Sequence, residues 1–284
     1  MIENAIDEAL RERLGCKVIA GGPLISGMLN ATTVKHTDKG DFFVKVNTNA
    51  PEGMFAAESY GLQAITATET VRVPIPFHYE NNFLILEYIP LMPHTASSQQ
   101  KLGEQLAALH LHRGSDRFGF NIDNTIGTTP QPNRWNQDWI AFFRDNRLLF
   151  QLEMTENVHG DTALRKAGEA LLYRIEAFFS GMTVAPSLIH GDLWAGNTAA
   201  DSKGEPVIFD PAPYYGHHEA DLSIAAMFGG FHETFYHAYH ESIPKAAGFD
   251  ERHRLYQLYH YLNHYNLFGS AYRSACMSLI NSLS

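Results

Sequence analysis

The stretch from Leu188 to Asp210, LIHGDLWAGNTAADSKGEPVIFD, constrains this chain more than any other. Two apolar residues, Leu188 and Ile189, lead into His190-Gly191-Asp192, and Asn197 follows five positions after the aspartate. The turn formers Asp201-Ser202-Lys203-Gly204 then separate Asn197 from a strand-like run, Pro206 to Phe209, that ends in Asp210. This reads as a loop, a hairpin, and an acid at a strand end. His-Gly-Asp alone is a common turn in which Asp accepts local backbone N–H bonds. The constraint lies in the combination, because the fold must bring Asp192, Asn197 and Asp210 to one place.

Phosphoryl transfer from ATP uses such a set. It needs an acceptor beside the attacking hydroxyl and oxygen ligands for Mg²⁺ on the phosphates, with little covalent work for the protein. Asp192 suits the first role. Asn197 and Asp210 suit the second, since Mg²⁺ takes hard oxygens and is usually held by one or two carboxylates plus phosphate and water. An acid, an Asn and a later acid after a strand is also the order found in the kinase catalytic loop and its metal-binding aspartate.

Upstream, the pattern after a first helix (about Ile2 to Leu14) is β-rich. Strands are expected at Lys17–Ala20, Ala31–His36, Phe42–Asn47, Phe77–Tyr79 and Phe83–Tyr88, with a helix from Pro51 to about Ala67. Lys45 stands in an otherwise apolar strand and Glu58 on the following helix. A buried Lys needs a partner, and a Lys–Glu pair that sets the ammonium on nucleotide phosphates fits both residues. Gly21, Gly22 and Gly27 in GGPLISG could cover phosphates with backbone N–H groups. Gly22 and Gly27 have Walker A spacing, but Met28-Leu29 follow where Lys and Ser/Thr are required, so that motif is rejected. The strand Leu84 to Ile89 stops at Pro90, where we place a lobe boundary (1–89 and 90–284). The backbone of Glu87 to Ile89 is positioned there to bond an adenine edge.

Beyond Ser98, where a Ser97-Ser98 cap is expected, the periodicity is mainly helical: Gln99–His112, about Arg134–Leu152, Thr162–Phe179, Glu219–Gly229, Phe231–Ser242 and a long Asp250–Leu283. The expected class is therefore α+β and bilobal, with a small β-rich lobe before an α-rich one. His110, His112, His217, His218, His237, His240, His260 and His264 are assigned packing or surface roles; the His260/His264 pair lacks the Glu of HExxH. The segment from Phe118 to Trp139 reads as a loop whose Asn, Asp and aromatic residues could shape a sugar-like pocket. Trp194 is the aromatic placed beside substrate. Asp221, at a helix start, is expected to brace the catalytic loop, and His190 to support it.

Composition excludes several partners. Lys+Arg 21 against Asp+Glu 31 leaves −10, so no broad basic face for nucleic acid or anionic lipid is expected. Two cysteines without paired spacing, Cys16 and Cys276, indicate neither a disulfide framework nor a zinc site and suit a reducing cytoplasm. The first residues form a charged amphipathic helix without an apolar signal core, and no apolar run approaches the roughly 18 residues of a membrane span.

With these residues in view, the chain resembles the fructosamine-3-kinase (ketosamine kinase) family, within the protein-kinase-like fold shared with choline kinases and aminoglycoside phosphotransferases. The resemblance is carried by HGDLWAGN at 190–197, FDPAPYYGHHEADL at 209–222, the 118–148 block containing TIGTTPQPNRWNQDW, and LNHYNLFG at 262–269. It implies ATP and Mg²⁺ as cofactors. Lys45 would contact phosphates with Glu58 as partner, Glu87, Tyr88 and Ile89 would form the adenine hinge, and Asp192 would receive the substrate proton. Asn197 and Asp210 would hold Mg²⁺, and Trp194 would line the acceptor site. The implied reaction is phosphorylation of the 3-hydroxyl of ketosamines, free or protein-attached, whose 3-phosphate then eliminates and frees the amine in a deglycation repair. Alternatives are a same-fold kinase for choline, an aminoglycoside or a homoserine-like hydroxyl, and a pseudokinase. Leu24 stands where eukaryotic members resemble Gly-Gly-Gly-Cys-Ile-Ser, so a redox switch in that loop is not expected. The expected assembly is a monomer or weak homodimer.

Overall fold

The computed structural model describes residues 2–27 and 29–284; Met28, at the rejected Walker lysine position, lies outside them. Helix α1 (Ile2–Leu14) buries Ile6, Ala9 and Leu10, one stripe at helical spacing. Strands β1 (Val18–Gly21), β2 (Ile25–Ser26), β3 (Ala31–Thr37), β4 (Gly40–Val46), β5 (Pro76–Glu80) and β6 (Phe83–Glu87) form one antiparallel sheet. Its order is β1-β3-β4-β6-β5, with β2 also on β3.

Alternation along β4 decides what the sheet can do. Phe42, Val44 and Val46 turn to one face and join Ile6, Leu10, Phe83 and Ile85 in a core beneath α1. Phe43 and Lys45 turn to the other. On that side Leu84 and Leu86 of β6 pack with Phe55, Leu62 and Ile65 of α2 (Met54–Thr66), and this second core continues through the helices that follow. Lys45 is thus buried at the one point where the apolar covering gives way to Glu58 of α2.

The remaining chain is mostly helical. Helix α3 (Ala96–Leu111) precedes a short hairpin, β7 (Asn124–Ile126) and β8 (Thr129–Gln131). A helical run follows from α4 (Trp139–Phe143) through a π-helical segment, Arg144–Leu149, into α5 (Phe150–His159), and then α6 (Thr162–Leu172). Strand β9 (Ser187–Ile189) leads into the 190–197 loop, hairpin β10 (Thr198–Ala200) and β11 (Pro206–Ile208) follows it, and β12 (Tyr214–Gly216) returns to pair with β9. Helices α7 (Glu219–Met227), α8 (Glu233–Ser242), α9 (Phe249–Phe268) and α10 (Arg273–Leu283) complete the chain. Among the described residues no helix is long and apolar enough to cross a membrane.

Several boundaries differ from expectation for local reasons. Helix α2 starts at Met54 and not Pro51, because Gly53 (φ +77°) takes a left-handed conformation that no helix can pass through. The cap of α3 is Thr95: its side chain accepts from Ser98 N–H while Ser98 Oγ accepts from Thr95 N–H. The first α-helix after the β7–β8 hairpin begins at Trp139, where Asp138 caps two free N–H groups. Helix α6 ends at Leu172, well short of Phe179, and the long final helix is two, divided at Gly269. The 118–139 segment is not all loop, since β7 and β8 lie within it.

Candidate active site

A cavity of about 400 Å³ opens between the sheet and the helical part, lined by Lys45, Glu58, Asp192, Trp194, Asn197 and Asp210. Lys45 Nζ lies 2.7 and 2.9 Å from the two Glu58 oxygens and 3.1 Å from Asp210 Oδ1. Burial pulls the Lys45 pKa down, but the Asp210 and Glu58 carboxylates more than offset it, and the ammonium ends above its ordinary value. Burial also pushes the Glu58 carboxyl up, against the pull of Lys45. The lysine therefore stays charged and faces two carboxylates from opposite sides of the cleft.

Asp192 and Asn197 sit in the loop between β9 and β10. Asn197 Nδ2 donates to the Asp192 carbonyl (2.9 Å) and to its carboxylate (3.1 Å), which fixes one against the other. The enclosed surroundings of Asp192, then the charge of Asp210, push its carboxyl up to about 7; the Asn197 bond opposes them. Gly191 makes the loop possible. At φ +81° it rests on the next segment so closely that a Cβ would lie 2.1 Å from the Ala212 carbonyl oxygen.

Behind this loop the support is buried and polar. His190 Nε2 donates to Phe209 O (3.0 Å), and its Nδ1 accepts from Asp192 N–H (3.3 Å). Burial pushes the His190 pKa down, so the neutral ring has one tautomer to offer each partner. Asp221 on α7 accepts from the N–H groups of His190 (2.6 Å) and Gly191 (2.8 Å) and from His110 Nε2 (3.1 Å). Burial would raise Asp221, but the hydrogen bonds it accepts from His110 and from the His190 backbone hold it below its ordinary value. His110 Nδ1 in turn meets Tyr239 Oη at 2.7 Å.

The other residues picked out in the sequence are placed unequally. Gly27 lines the cleft. Gly21 and Gly22 do not: Gly21 packs on Lys35, and the Gly22 N–H is committed to Val34 O at 2.8 Å. Gly27 reaches the cleft but its N–H donates to Asn30 O at 2.9 Å, so the expectation that these glycines offer N–H groups to phosphate is corrected for Gly22 and Gly27 alike. Tyr88 and Ile89 line a second, apolar cavity of about 340 Å³ with Phe43, Leu86 and Phe209, reaching Lys45 and Asp210 at its inner end. Glu87 is there too, but its N–H donates to Ile75 O (2.8 Å) and its carboxylate takes Arg72 (2.6 Å), so neither is free for a ligand. Beyond Trp194 lies a third cavity of about 290 Å³, walled by Phe228, His264, Leu267, Phe268 and Tyr272 and open to Asp192.

Sequence reasoning missed His110, whose partner Asp221 is 111 positions away; no local pattern marks that meeting. His264 packs, as expected, against Phe228 and Tyr272, and with them it walls the third cavity. Within the 118–139 segment Asn124, Gln131 and Asn133 bond one another and backbone oxygens, while Asn124 and Thr125 also line the cleft. His217, His218 and Glu219 lie close enough to hold a metal, but their ligand atoms are engaged: Glu219 by Arg252 (2.8 Å twice), His217 by Tyr256 and His218 by Tyr239.

A charged lysine, a loop aspartate with its asparagine, and a strand-end aspartate beside an apolar slot define an ATP-dependent kinase of protein-kinase-like fold, the fold that choline kinases and aminoglycoside phosphotransferases also have. The profile of the fructosamine kinase family matches residues 2–284, and the chain belongs to that family. It is 43% identical over 288 residues to the chloroplastic protein-ribulosamine 3-kinase of Arabidopsis thaliana, covering 99% of this chain and 88% of the relative. It is 40% identical over 310 residues to the ketosamine-3-kinase of Mus musculus, covering 98% and 100%. A crystallised candidate fructosamine-3-kinase from Thermobifida fusca superposes with a TM-score of 0.90 at 30% identity, covering 99% of this chain and 98% of the other.

Proposed function

We propose that this protein transfers the γ-phosphoryl group of ATP to the 3-hydroxyl of a ketosamine, a ribulosamine or fructosamine. Asp192 accepts the hydroxyl proton, and Lys45, held by Glu58, offsets phosphate charge. The observation that carries the reading is the continuity of three spaces. The apolar slot at Tyr88 and Ile89 suits a purine, the cleft at Lys45 and Asp210 suits phosphates, and the cavity beyond Trp194 suits an acceptor, with Asp192 at the junction of the last two. The acceptor side is aromatic: Phe228 lies 5.2 Å from His264, and His264 lies 5.1 Å from Tyr272, ring to ring. Such faces pack against sugar C–H groups and attract the secondary ammonium that every ketosamine carries.

Mg²⁺ fits the residues present. Asn197 Nδ2 is occupied by Asp192, which turns the amide oxygen elsewhere, and the Asp210 side chain is 45% exposed, with Lys45 on Oδ1. Burial raises Asp192 most and the Asp210 charge adds to it, and a divalent cation beside Asp210 would offset that second part. Held by Asn197 and Asp210, the ion would supply positive charge to offset the phosphates. The chain's own contribution is to hold Asp192 at the acceptor with its proton-accepting oxygen, fixed by Asn197, His190 and Asp221, and to keep an ammonium at the phosphates.

On the same footing we place the lobe boundary at 89/90 and the protein in the cytoplasm as a monomer or weak homodimer; its two cysteines are free and buried. The experiment is Mg²⁺-ATP-dependent phosphorylation of ribulosyl-lysine and fructosyl-lysine beside choline and an aminoglycoside, with Asp192→Asn as control. Turnover on ketosamines alone, reduced at least about 10²-fold in the variant, is the expected result. Turnover on choline or the aminoglycoside alone overturns the substrate, and no turnover on any acceptor with ATP still bound overturns the activity.

A further inference from the structure

Asp210 has φ +57°, a left-handed conformation that is strained for any residue with a Cβ. It persists because both flanks are tied. Upstream, Phe209 N–H donates to Asn197 O (3.0 Å) and Phe209 O accepts from His190 Nε2 (3.0 Å). Downstream, the Ala212 carbonyl accepts from Gln131 Nε2 (3.1 Å) and the Pro213 carbonyl from Asn124 Nδ2 (2.9 Å).

These two amides are themselves immobilised. Asn124 Oδ1 accepts from Gln131 Nε2 (2.7 Å) and Asn133 Nδ2 (3.0 Å). Gln131 Oε1 accepts from Tyr259 Oη (2.6 Å), and Asn133 Oδ1 accepts from Arg147 Nη2 (2.6 Å). All five side chains are buried. Arg147 is the unexpected member. It is fully buried on the π-helical segment, and its hydrogen-bond partners are oxygens of Pro132, Asn146 and Asn133, none of them a carboxylate. The rings of Tyr214 (3.9 Å) and Phe142 (4.8 Å) cover its faces. A buried guanidinium without a counter-ion stabilises a core less than an apolar side chain of that size, so burial alone does not account for it. What it does is fix one amide oxygen, and through it the donors that grip the chain after Asp210.

We infer that Arg147, Asn133, Tyr259 and the Asn124–Gln131 amide pair are one positioning unit that sets the Asp210 carboxylate. This rests on the reading of Asp210 as a metal ligand. None of the five ligates the metal in this account; they act through the backbone at 212–213. Groups hydrogen-bonded to a metal ligand change its affinity by about 10- to 100-fold when lost, and these five, which act on the backbone just beyond the ligand, belong at the lower end.

The test is calorimetric titration of ADP into the full chain, first in EDTA and then across a Mg²⁺ series, for the wild type, Gln131→Met, Tyr259→Phe and Asp210→Asn. Gln131→Met keeps the volume and removes both donor bonds; Tyr259→Phe keeps the ring and removes one hydroxyl. The expected result is unchanged ADP affinity in EDTA for both. The Mg²⁺ concentration that gives half of the metal-dependent tightening rises about tenfold in Gln131→Met and by a smaller factor in Tyr259→Phe. A role confined to packing lowers the melting temperature and leaves that midpoint where it was, so a wild-type midpoint in folded Tyr259→Phe overturns the inference. No metal-dependent tightening in the wild type, or full tightening in Asp210→Asn, overturns the metal reading itself and the inference with it.

Discussion

Replacing Lys45 with methionine separates what the ion pair does for folding from what it does for chemistry. Methionine fills the stem volume and removes the ammonium. Glu58 then loses bonds of 2.7 and 2.9 Å. Its side chain is only 9% exposed, whereas that of Asp210 is 45% exposed and is screened by water, so the penalty falls on Glu58. Stripping one partner from a buried pair costs about 3–5 kcal/mol. Burial already pushes the Glu58 carboxyl up, and Lys45 is what opposes it. In the variant its folded pKa therefore lies further above the unfolded value of about 4.3. A carboxyl raised on folding leaves stability intact below the unfolded pKa and removes it as pH rises through the folded pKa, by about 1.4 kcal/mol for each unit between the two. Urea unfolding at pH 5 and pH 8 reads this directly. The deficit of Lys45→Met relative to wild type should be about 3–5 kcal/mol at pH 8 and clearly smaller at pH 5. Adding Glu58→Gln should restore most of the stability at pH 8 without restoring turnover. An equal deficit at both pH values, or no recovery in the double variant, refutes the reasoning.

Three further outcomes follow from the site. Because Asp192 is pushed up to about 7 without metal, kcat/KM for the acceptor should fall with unit slope on the acid side, and that limb should move to lower pH as Mg²⁺ rises from limiting to saturating and offsets Asp210; a limb that Mg²⁺ does not move would contradict that. Asp221→Asn removes the charge that accepts three bonds and should lower kcat by at least about tenfold while KM for ATP stays near normal, since the loss is in loop placement; equal damage to both would point to general unfolding. Phe268→Leu and Tyr272→Leu should each raise the acceptor KM by up to about tenfold, leave KM for ATP unchanged, and have no effect on an acceptor without the ammonium.

The sequence was most legible where chemistry and local order coincide. A lysine in an apolar strand with a glutamate on the next helix can be read as a pair, and the two meet at 2.7 Å. Asp192 and Asn197 share one loop, so spacing alone sets them together. Legibility fails where partners are far apart in sequence. Asp221 was readable as a brace, but not His110 beneath it, nor Gln131 reaching Ala212 across 81 positions. Strand β12 is too short to announce itself, and its pairing with β9 depends on the turn at Gly191. The glycine-rich run misled because composition does not say which N–H groups a strand has already claimed; Gly22 spends its own on Val34. In the Asn-rich loop Asn124, Gln131 and Asn133 bond the protein, a commitment composition does not announce, although Asn124 also lines the cleft.

The alternation along β4 has one more consequence. A one-residue slip of that strand against β3 and β6 would exchange its faces. The lysine would enter the apolar layer beneath α1, among Ile6, Leu10 and Phe83, and a valine would face the cleft. Such a chain could retain its helices and much of its sheet, and by circular dichroism it would pass as folded. It could not set an ammonium in the cleft, nor could it satisfy Glu58. Turnover in this enzyme is therefore an assay of strand register, and specific activity measures the fraction of molecules in which the sheet was assembled in step.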